Sequence, residues 1–470
     1  MCSKVKKWLN RLCLRRQSKM LEVKNKAFMW FVLLAFAAVG CLLLGGGVTK
    51  IVPRPGDPQK KLSTPITPAL IEKGAYLARV GDCVACHSMP GKSDFSGGMP
   101  IASPIGGMVP PNITSDINAG IGSYSFGDFD RAVRFGIAKD GETLYPAMPW
   151  TSYSRISVND MEALYAYFMR GVPPVSAPSQ ANTIPWPLSM RWPMTYWRWL
   201  FAPKVPPPIQ AAPSDPISLG AYYVQGLGHC GACHTPRALT LQESAFDDIG
   251  SVGNKYLAGG QVIDGYYVPS LRGELVSGLG NTKSGEIIEL LKTGRTNKTA
   301  AFGPMSDVVT NSTQYMTKGD LSAIASYLKS LPARVNQDKP YYDMKTYEEL
   351  SEGILTHAGA SVYMKNCEGC HLSNGLGYSK KFSSLALNSS VNSPGADGLI
   401  RIVLSGETHA KTQVQGIPSY YMPSFAKSLS DQEIADVLTF IRSSWGNNAT
   451  AVTASDVAES RKNMQKSPPM

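Results

Sequence analysis

Three pentads of the form Cys-x-x-Cys-His constrain this chain more than any other feature: Cys83-Val84-Ala85-Cys86-His87, Cys230-Gly231-Ala232-Cys233-His234 and Cys367-Glu368-Gly369-Cys370-His371. The chain has only six histidines, and three of them directly follow a cysteine pair. Two thiols three positions apart fall on one side of a helical turn, where they can add to the two vinyl groups of a single porphyrin. The next residue then lies beneath the ring and offers its imidazole to the iron. Zinc is the rival chemistry, but it takes four ligands, usually from two neighbouring pairs, and these pairs lie far apart along the chain. A thioredoxin-like dithiol expects a βαβ setting and has no use for the histidine. The pattern therefore implies three covalently bound haem c groups, each demanding a helical turn and a pocket of its own.

The surroundings of the pentads repeat, which marks the unit of organisation. A helical stretch carrying a glycine precedes each one: Gly74, Gly220 and Gly359, nine, ten and eight residues before the first cysteine. An amphipathic segment ending in glycine follows: FDRAVRFG to Gly136, IIELLKTG to Gly294 and LIRIVLSG to Gly406. Then comes a loop with a methionine, Met148 in YPAMPW, Met305 in FGPMSD and Met422 in YYMPSF, and a last helix bearing Tyr167, Tyr327 or Phe440. Asn159, Asp320 and Asp431 stand near the starts of those last helices, as capping residues do. A lone methionine is usually core filling. Recurrence at one point of three repeats, in Pro- or Gly-bearing loops, instead points to Met148, Met305 and Met422 as sixth ligands opposite His87, His234 and His371. Met316 stands close enough to compete with Met305. His229, His357 and His409 are alternative ligands in principle; His229 adjoins Cys230, His357 precedes its motif, and His409 alone falls in the right interval.

The net charge of +11 would suit a nucleic-acid binder, but its distribution does not. Nine Lys or Arg crowd into residues 1–26 against the single Glu22, so most of the excess belongs to the N-terminus. Residues 27–48, AFMWFVLLAFAAVGCLLLGGGV, carry no charge and as a helix would span roughly 33 Å. Positive flanking charge places residues 1–26 in the cytoplasm and the rest beyond the membrane. A cleaved signal peptide is the competing reading, and either way the bulk of the chain is exported.

The glycine-bearing first helix, CxxCH, methionine loop and aromatic-bearing last helix resemble class I cytochrome c. Three in tandem resemble the triple-haem cytochrome c subunit of bacterial membrane-bound, quinone-linked dehydrogenases of the alcohol, gluconate or sorbitol type. The stretches GAYLARVGDCVACH, DGETLYPAMPW, MEALYAYFMRGV, IPWPLSMRWP, GHCGACHTPR, AFGPMSDVV and IADVLTFIRSSWGN carry the likeness over roughly residues 66–448. The resemblance implies haem thioethers on Cys83/Cys86, Cys230/Cys233 and Cys367/Cys370, and axial pairs His87/Met148, His234/Met305 and His371/Met422. It also implies a large periplasmic partner, using flavin or pyrroloquinoline quinone with molybdenum ranked behind them, that oxidises an alcohol, sugar or sugar acid. Electrons would pass over the haems to ubiquinone in the inner membrane.

The expected fold is mainly α, three tandem class I cytochrome c-like domains behind an N-terminal transmembrane helix. Composition divides it into a basic cytoplasmic tail 1–26, an anchor or signal 27–48, a linker 49–66, domain 1 over 67–202, a Pro-rich linker 203–216, domain 2 over 217–333, a linker 334–349, domain 3 over 350–448 and a polar tail 449–470. Residues 184–202 hold four of the eight tryptophans, which suits either a face against the bilayer or packing against another domain or subunit. No Gly-rich nucleotide motif and no paired carboxylates mark a substrate pocket, so electron relay is expected, with no catalytic residue. An independent relay to a terminal oxidase and a haem peroxidase are the alternatives; the second needs an open iron position.

Overall fold

The computed structural model describes residues 54–202, 209–210, 212–248, 253–413 and 420–466; the basic tail and the apolar stretch 27–48 lie outside them. Among the described residues the chain is mainly helical, with two two-residue hairpins, Val262–Ile263 with Tyr266–Tyr267 and Glu407–Thr408 with Tyr421–Met422. None of the described helices is long and apolar enough to cross a membrane.

One helix crossing occurs three times. In the first segment helix Pro68–Val80 begins at Thr67, whose hydroxyl accepts from Leu70 N, and carries Pro68 where a missing N–H is harmless. It crosses helix Val158–Ala166 at Gly74, where a Cβ would lie 2.0 Å from the Ala163 carbonyl oxygen and 2.6 Å from Tyr167 Cβ. In the second segment a Cβ on Gly220 would lie 2.0 Å from Ala323 O and 2.7 Å from Tyr327 Cβ. In the third, Gly359 stands 2.2 Å from Asp436 O and 2.8 Å from Phe440 Cβ by the same measure. Only a residue without a Cβ lets the two backbones come this close. Gly359 differs in lying at the N-cap of the short helix Ala360–Asn366 rather than inside a helix.

The last helices start slightly earlier than the acidic residues suggest. Their caps are Ser157, Thr317 and Ser430, whose side chains accept from the backbone N–H of Asp160, Asp320 and Glu433. The middle helices Phe126–Phe135, Ser284–Thr293 and Asp397–Ser405 end at Gly136, Gly294 and Gly406, all with positive φ (61°, 75° and 71°) that glycine adopts without strain.

The apolar cores do not follow three equal parcels. Leu77, Val80, Met161, Leu164 and Phe168 of the first segment are continuous with Val224, Leu227, Tyr256, Ile287, Leu321 and Leu328 of the second. The third has a separate core around Tyr363, Ile400, Val403, Ile434, Phe440 and Trp445. In each segment a fully buried arginine ties loops to the frame. Arg134 donates to Asp130 Oδ1 at 2.6 Å and Ser157 O at 3.0 Å, Arg272 to Tyr256 O and Pro332 O at 3.0 Å, and Arg442 to Val391 O at 2.8 Å and Ser393 O at 3.0 Å. A guanidinium spreads several donors over one plane, so a single side chain satisfies several loop carbonyls away from water.

Two stretches that read as linker or tail carry structure. Ser63 donates to Glu162 through N–H at 2.8 Å and hydroxyl at 2.9 Å, so the end of the 49–66 linker is fastened to the first segment. Helix Ala454–Lys466 docks on the third segment through the fully buried Val457 and through Arg461, which donates to Asp431 Oδ1 at 2.9 Å. By compactness, residues 191–200 fall outside the unit to which residues 55–190 belong. In helix Trp192–Phe201, Thr195 and Arg198 are buried while Trp199 and Leu200 are 61% and 59% exposed, the reverse of a water-facing helix.

Candidate haem-binding sites

Each pentad forms one helical turn, at Cys83–His87, Gly231–His234 and Glu368–His371. All six cysteines are free thiols. Removal from water pushes Cys83, Cys230 and Cys367 up to about 12, and Cys86 and Cys233 up to about 11. Among the described residues no three His, Cys, Asp or Glu side chains converge as a zinc centre requires.

The histidines supply the most informative geometry. His87 Nδ1 lies 2.7 Å from Pro111 O, His234 Nδ1 2.9 Å from Pro269 O, and His371 Nδ1 2.9 Å from Ser383 O. A carbonyl only accepts, so Nδ1 is the protonated nitrogen in all three and donates to it. Nε2 is left with its lone pair, oriented by a fixed ring. Removal from water lowers the pKa of each imidazole, which favours the neutral, ligating form. Three thiol pairs on a turn, each followed by an imidazole with Nε2 available, fit covalent haem c.

The three loop methionines share one environment. Met148, Met305 and Met422 are half-buried against the edges of the apolar clusters. Core methionines look different: Met161 and Met316 are 0% and 2% exposed. Met316, the competitor of Met305, is thus buried within the apolar core. Met148 follows a turn closed by Tyr145 and is held by Trp150 N donating to its carbonyl at 2.8 Å. Met305 is the second residue of helix Pro304–Asn311, which follows Gly303, whose φ of 54° and the 2.8 Å a Cβ would stand from the Tyr266 ring favour glycine. Met422 sits in the hairpin opposite Glu407.

The remaining histidines have other work. His229 packs edge-on to Tyr153 at 5.6 Å. His357 packs on Phe440 at 5.2 Å and accepts from Gly359 N at 3.3 Å. His409 lines a shallow surface cleft with Arg295, Lys380, Lys381 and Ser383. Sequence reasoning missed the carbonyls that orient the ligating rings. Pro111 follows an apolar stretch bearing Gly and Pro and Pro269 follows the Val262–Tyr267 hairpin, and nothing local marks one carbonyl among many.

Comparison with known proteins places this geometry. The family model for cytochrome c matches residues 356–445. The gluconate 2-dehydrogenase cytochrome c subunit of Pantoea cypripedii is 48% identical over 400 residues, covering 84% of this chain and 90% of that protein. The cytochrome c subunit of the quinone alcohol dehydrogenase of Komagataeibacter europaeus is 48% identical over 398 residues, 84% of each chain. The fructose dehydrogenase cytochrome subunit of Gluconobacter japonicus is 32% identical over 91% of this chain and 89% of its own length. At these identities and coverages the turn of paired thiols and imidazole has one reading, and the chain belongs to the family of haem-binding, electron-transferring cytochrome c subunits of quinone-linked alcohol and gluconate dehydrogenases.

Proposed function

We propose that the chain carries three c-type haems in three tandem cytochrome c-like domains and passes electrons from a periplasmic dehydrogenase subunit to ubiquinone in the inner membrane. The observation that carries this reading is the threefold recurrence of one arrangement: a pentad turn, a histidine whose Nδ1 is tied to a carbonyl, and a half-buried methionine after a positive-φ glycine.

Each group of residues has a definite task. Cys83/Cys86, Cys230/Cys233 and Cys367/Cys370 fasten the rings as thioethers. His87, His234 and His371 present Nε2, and the carbonyls behind them hold the rings and raise their basicity. Met148, Met305 and Met422 would also hold the haems through their thioethers, and such ligation raises a reduction potential. Bound haem would supply one-electron chemistry, and with both histidine and methionine offered to each, carriage would be favoured over catalysis at iron. The relatives' names support the partner class, a dehydrogenase for an alcohol, sugar or sugar acid; its cofactor would be flavin or pyrroloquinoline quinone, with molybdenum ranked behind them. The uncharged stretch 27–48 behind a basic tail supports an inner-membrane anchor with the haem segments in the periplasm. The outward Trp199 and Leu200 support a face in the headgroup region.

The test is a haem count on purified chain by pyridine haemochrome and intact mass, followed by gentle solubilisation of native membranes and identification of what co-purifies. Three haems and a stoichiometric dehydrogenase are expected. A chain with one haem, or recovered with oxidase subunits alone, would overturn the reading.

A further inference from the structure

The first and second segments meet through a pair of matched hydrogen-bond sets. Tyr76, two residues after Gly74, donates its hydroxyl to Asp320 Oδ2 and accepts from Thr317 N at 3.2 Å. Tyr222, two residues after Gly220, donates to Asp160 Oδ2 at 2.6 Å and accepts from Ser157 N at 3.0 Å. Thr317 and Ser157 are the N-caps of the last helices, and Asp320 and Asp160 are their third residues. Each segment's first helix thus reaches the cap of the other's last helix, by equivalent atoms in both directions. This is the reciprocity of a twofold contact, made here within one chain.

The same reciprocity brings the haem-bearing parts together. Helix Cys83–His87 packs against helix Pro304–Asn311, which carries Met305. The turn Tyr223–Leu227, leading into Cys230, packs against helix Trp150–Tyr153, which follows Met148. At the centre, Ser312 donates to Val80 O at 3.1 Å, and a Cβ on Gly81 would lie 3.2 Å from Leu227 Cδ1. Between the two hydrogen-bond sets lies the shared apolar core, which is non-directional and by itself fixes no relative rotation. The hydrogen bonds are directional, and the tyrosines are buried or half-buried, so a lost partner is felt.

We propose that Tyr76 and Tyr222 are positioning residues for electron exchange between the haems of the first two segments, their reciprocal bonds to Asp320 and Asp160 setting the mutual orientation of the two rings. This rests on the three-haem reading above. In the exchange one iron passes from ferrous to ferric as the other passes from ferric to ferrous. One electron moves, no bond is made or broken, and no proton is transferred. The electron originates with the dehydrogenase partner.

The test uses full-length, haem-loaded protein carrying Tyr76→Phe and Tyr222→Phe together. Two properties are read: the Soret circular-dichroism couplet, which reports the relative orientation of neighbouring haems, and the rate of inter-haem equilibration after flash photoreduction. A weakened couplet and equilibration slowed by about tenfold are expected, in keeping with the sensitivity of reactions to small misplacement. Tyr165→Phe removes a hydroxyl that donates to Tyr124 O at 3.0 Å within the first segment and is expected to move neither readout. Asp320→Asn keeps an acceptor oxygen for Tyr76 and is expected to stay near wild type. Should the double variant lose haem, Tyr76→Phe alone, at the half-buried site, is read in its place. A loaded variant with wild-type couplet and rate overturns the proposal. Fewer than three haems in the unaltered chain would instead overturn the functional reading beneath it.

Discussion

The seam between the first and second segments and the seam between the second and third are built from different materials. The first is a continuous apolar core flanked by the reciprocal Tyr–Asp bonds. The second is chiefly polar. Ser384 N donates to Lys298 O at 2.8 Å, Arg295 Nη1 to Lys380 O at 3.2 Å, and Gln413 N to Gln314 Oε1 at 2.8 Å. Tyr266 reaches Glu407 Oε2 at 3.0 Å, and Lys380 meets Glu289 at 2.9 Å. Among the described residues the apolar contact across it is smaller than the first: Ala301 and Val309 against Ala410, and the Tyr266, Tyr267 and Phe302 rings against Gly395 and Gly398. Burial of apolar area is the main source of cooperativity, whereas exposed polar pairs exchange protein for water at little gain. The first two segments are therefore expected to unfold as one body and the third on its own. It is this third segment that the cytochrome c family model spans.

The strongest way to break that contrast is at the helix crossings. Gly220→Val would drive a side chain into Ala323 O, and destabilisation above about 4 kcal/mol is expected, with the first two segments melting together in calorimetry. Gly359→Val, against Asp436 O, is expected to lower only the third segment's transition. Equal effects of the two on a single transition would show the polar seam to be as cooperative as the apolar one.

Next in size is loss of a histidine ligand. His371→Ala should remove one haem per chain and lower the third segment's melting alone, since a bound group stabilises the state that binds it. His87→Ala should weaken the joint transition of the first two segments. Haem content and calorimetry on the same samples separate the cases.

A smaller effect discriminates the two methionines of the second segment. Met305→Leu should leave the reduced protein binding carbon monoxide rapidly at one site, with little change in stability. Met316→Leu, in the core at 2% exposure, should bind none and cost less than about 1.5 kcal/mol. Carbon monoxide binding by the Met316 variant and not by the Met305 variant would reverse the ligand assignment.

The smallest effect sharpens the picture of the polar seam. Lys380→Ala removes an ion pair whose lysine is 57% exposed, and a loss of about 0–1 kcal/mol in the third segment is expected, shrinking further at high salt. A larger or salt-insensitive loss would mean that the second seam is held more firmly than its composition indicates.

By itself the sequence determined the turns, the glycines and the methionine loops. The proposed attachment of haem through Cys83 and Cys86, with His87 beside them, is a demand on five consecutive residues, so it is written contiguously and can be read contiguously. Gly74, Gly220 and Gly359 were legible because one steric need recurs at nearly one offset. Only the tertiary structure decided which carbonyl would orient each imidazole, that residues 454–466 would dock as a helix, and that the first two segments would share a core while the third kept its own. An amphipathic face announces that it must be covered but carries no mark of what covers it, because apolar contact is non-directional. Tyr76 and Asp320 stand 244 residues apart, and nothing near either names the other. Their pairing comes from the reciprocal packing of whole segments, a property that exists only once the chain has folded.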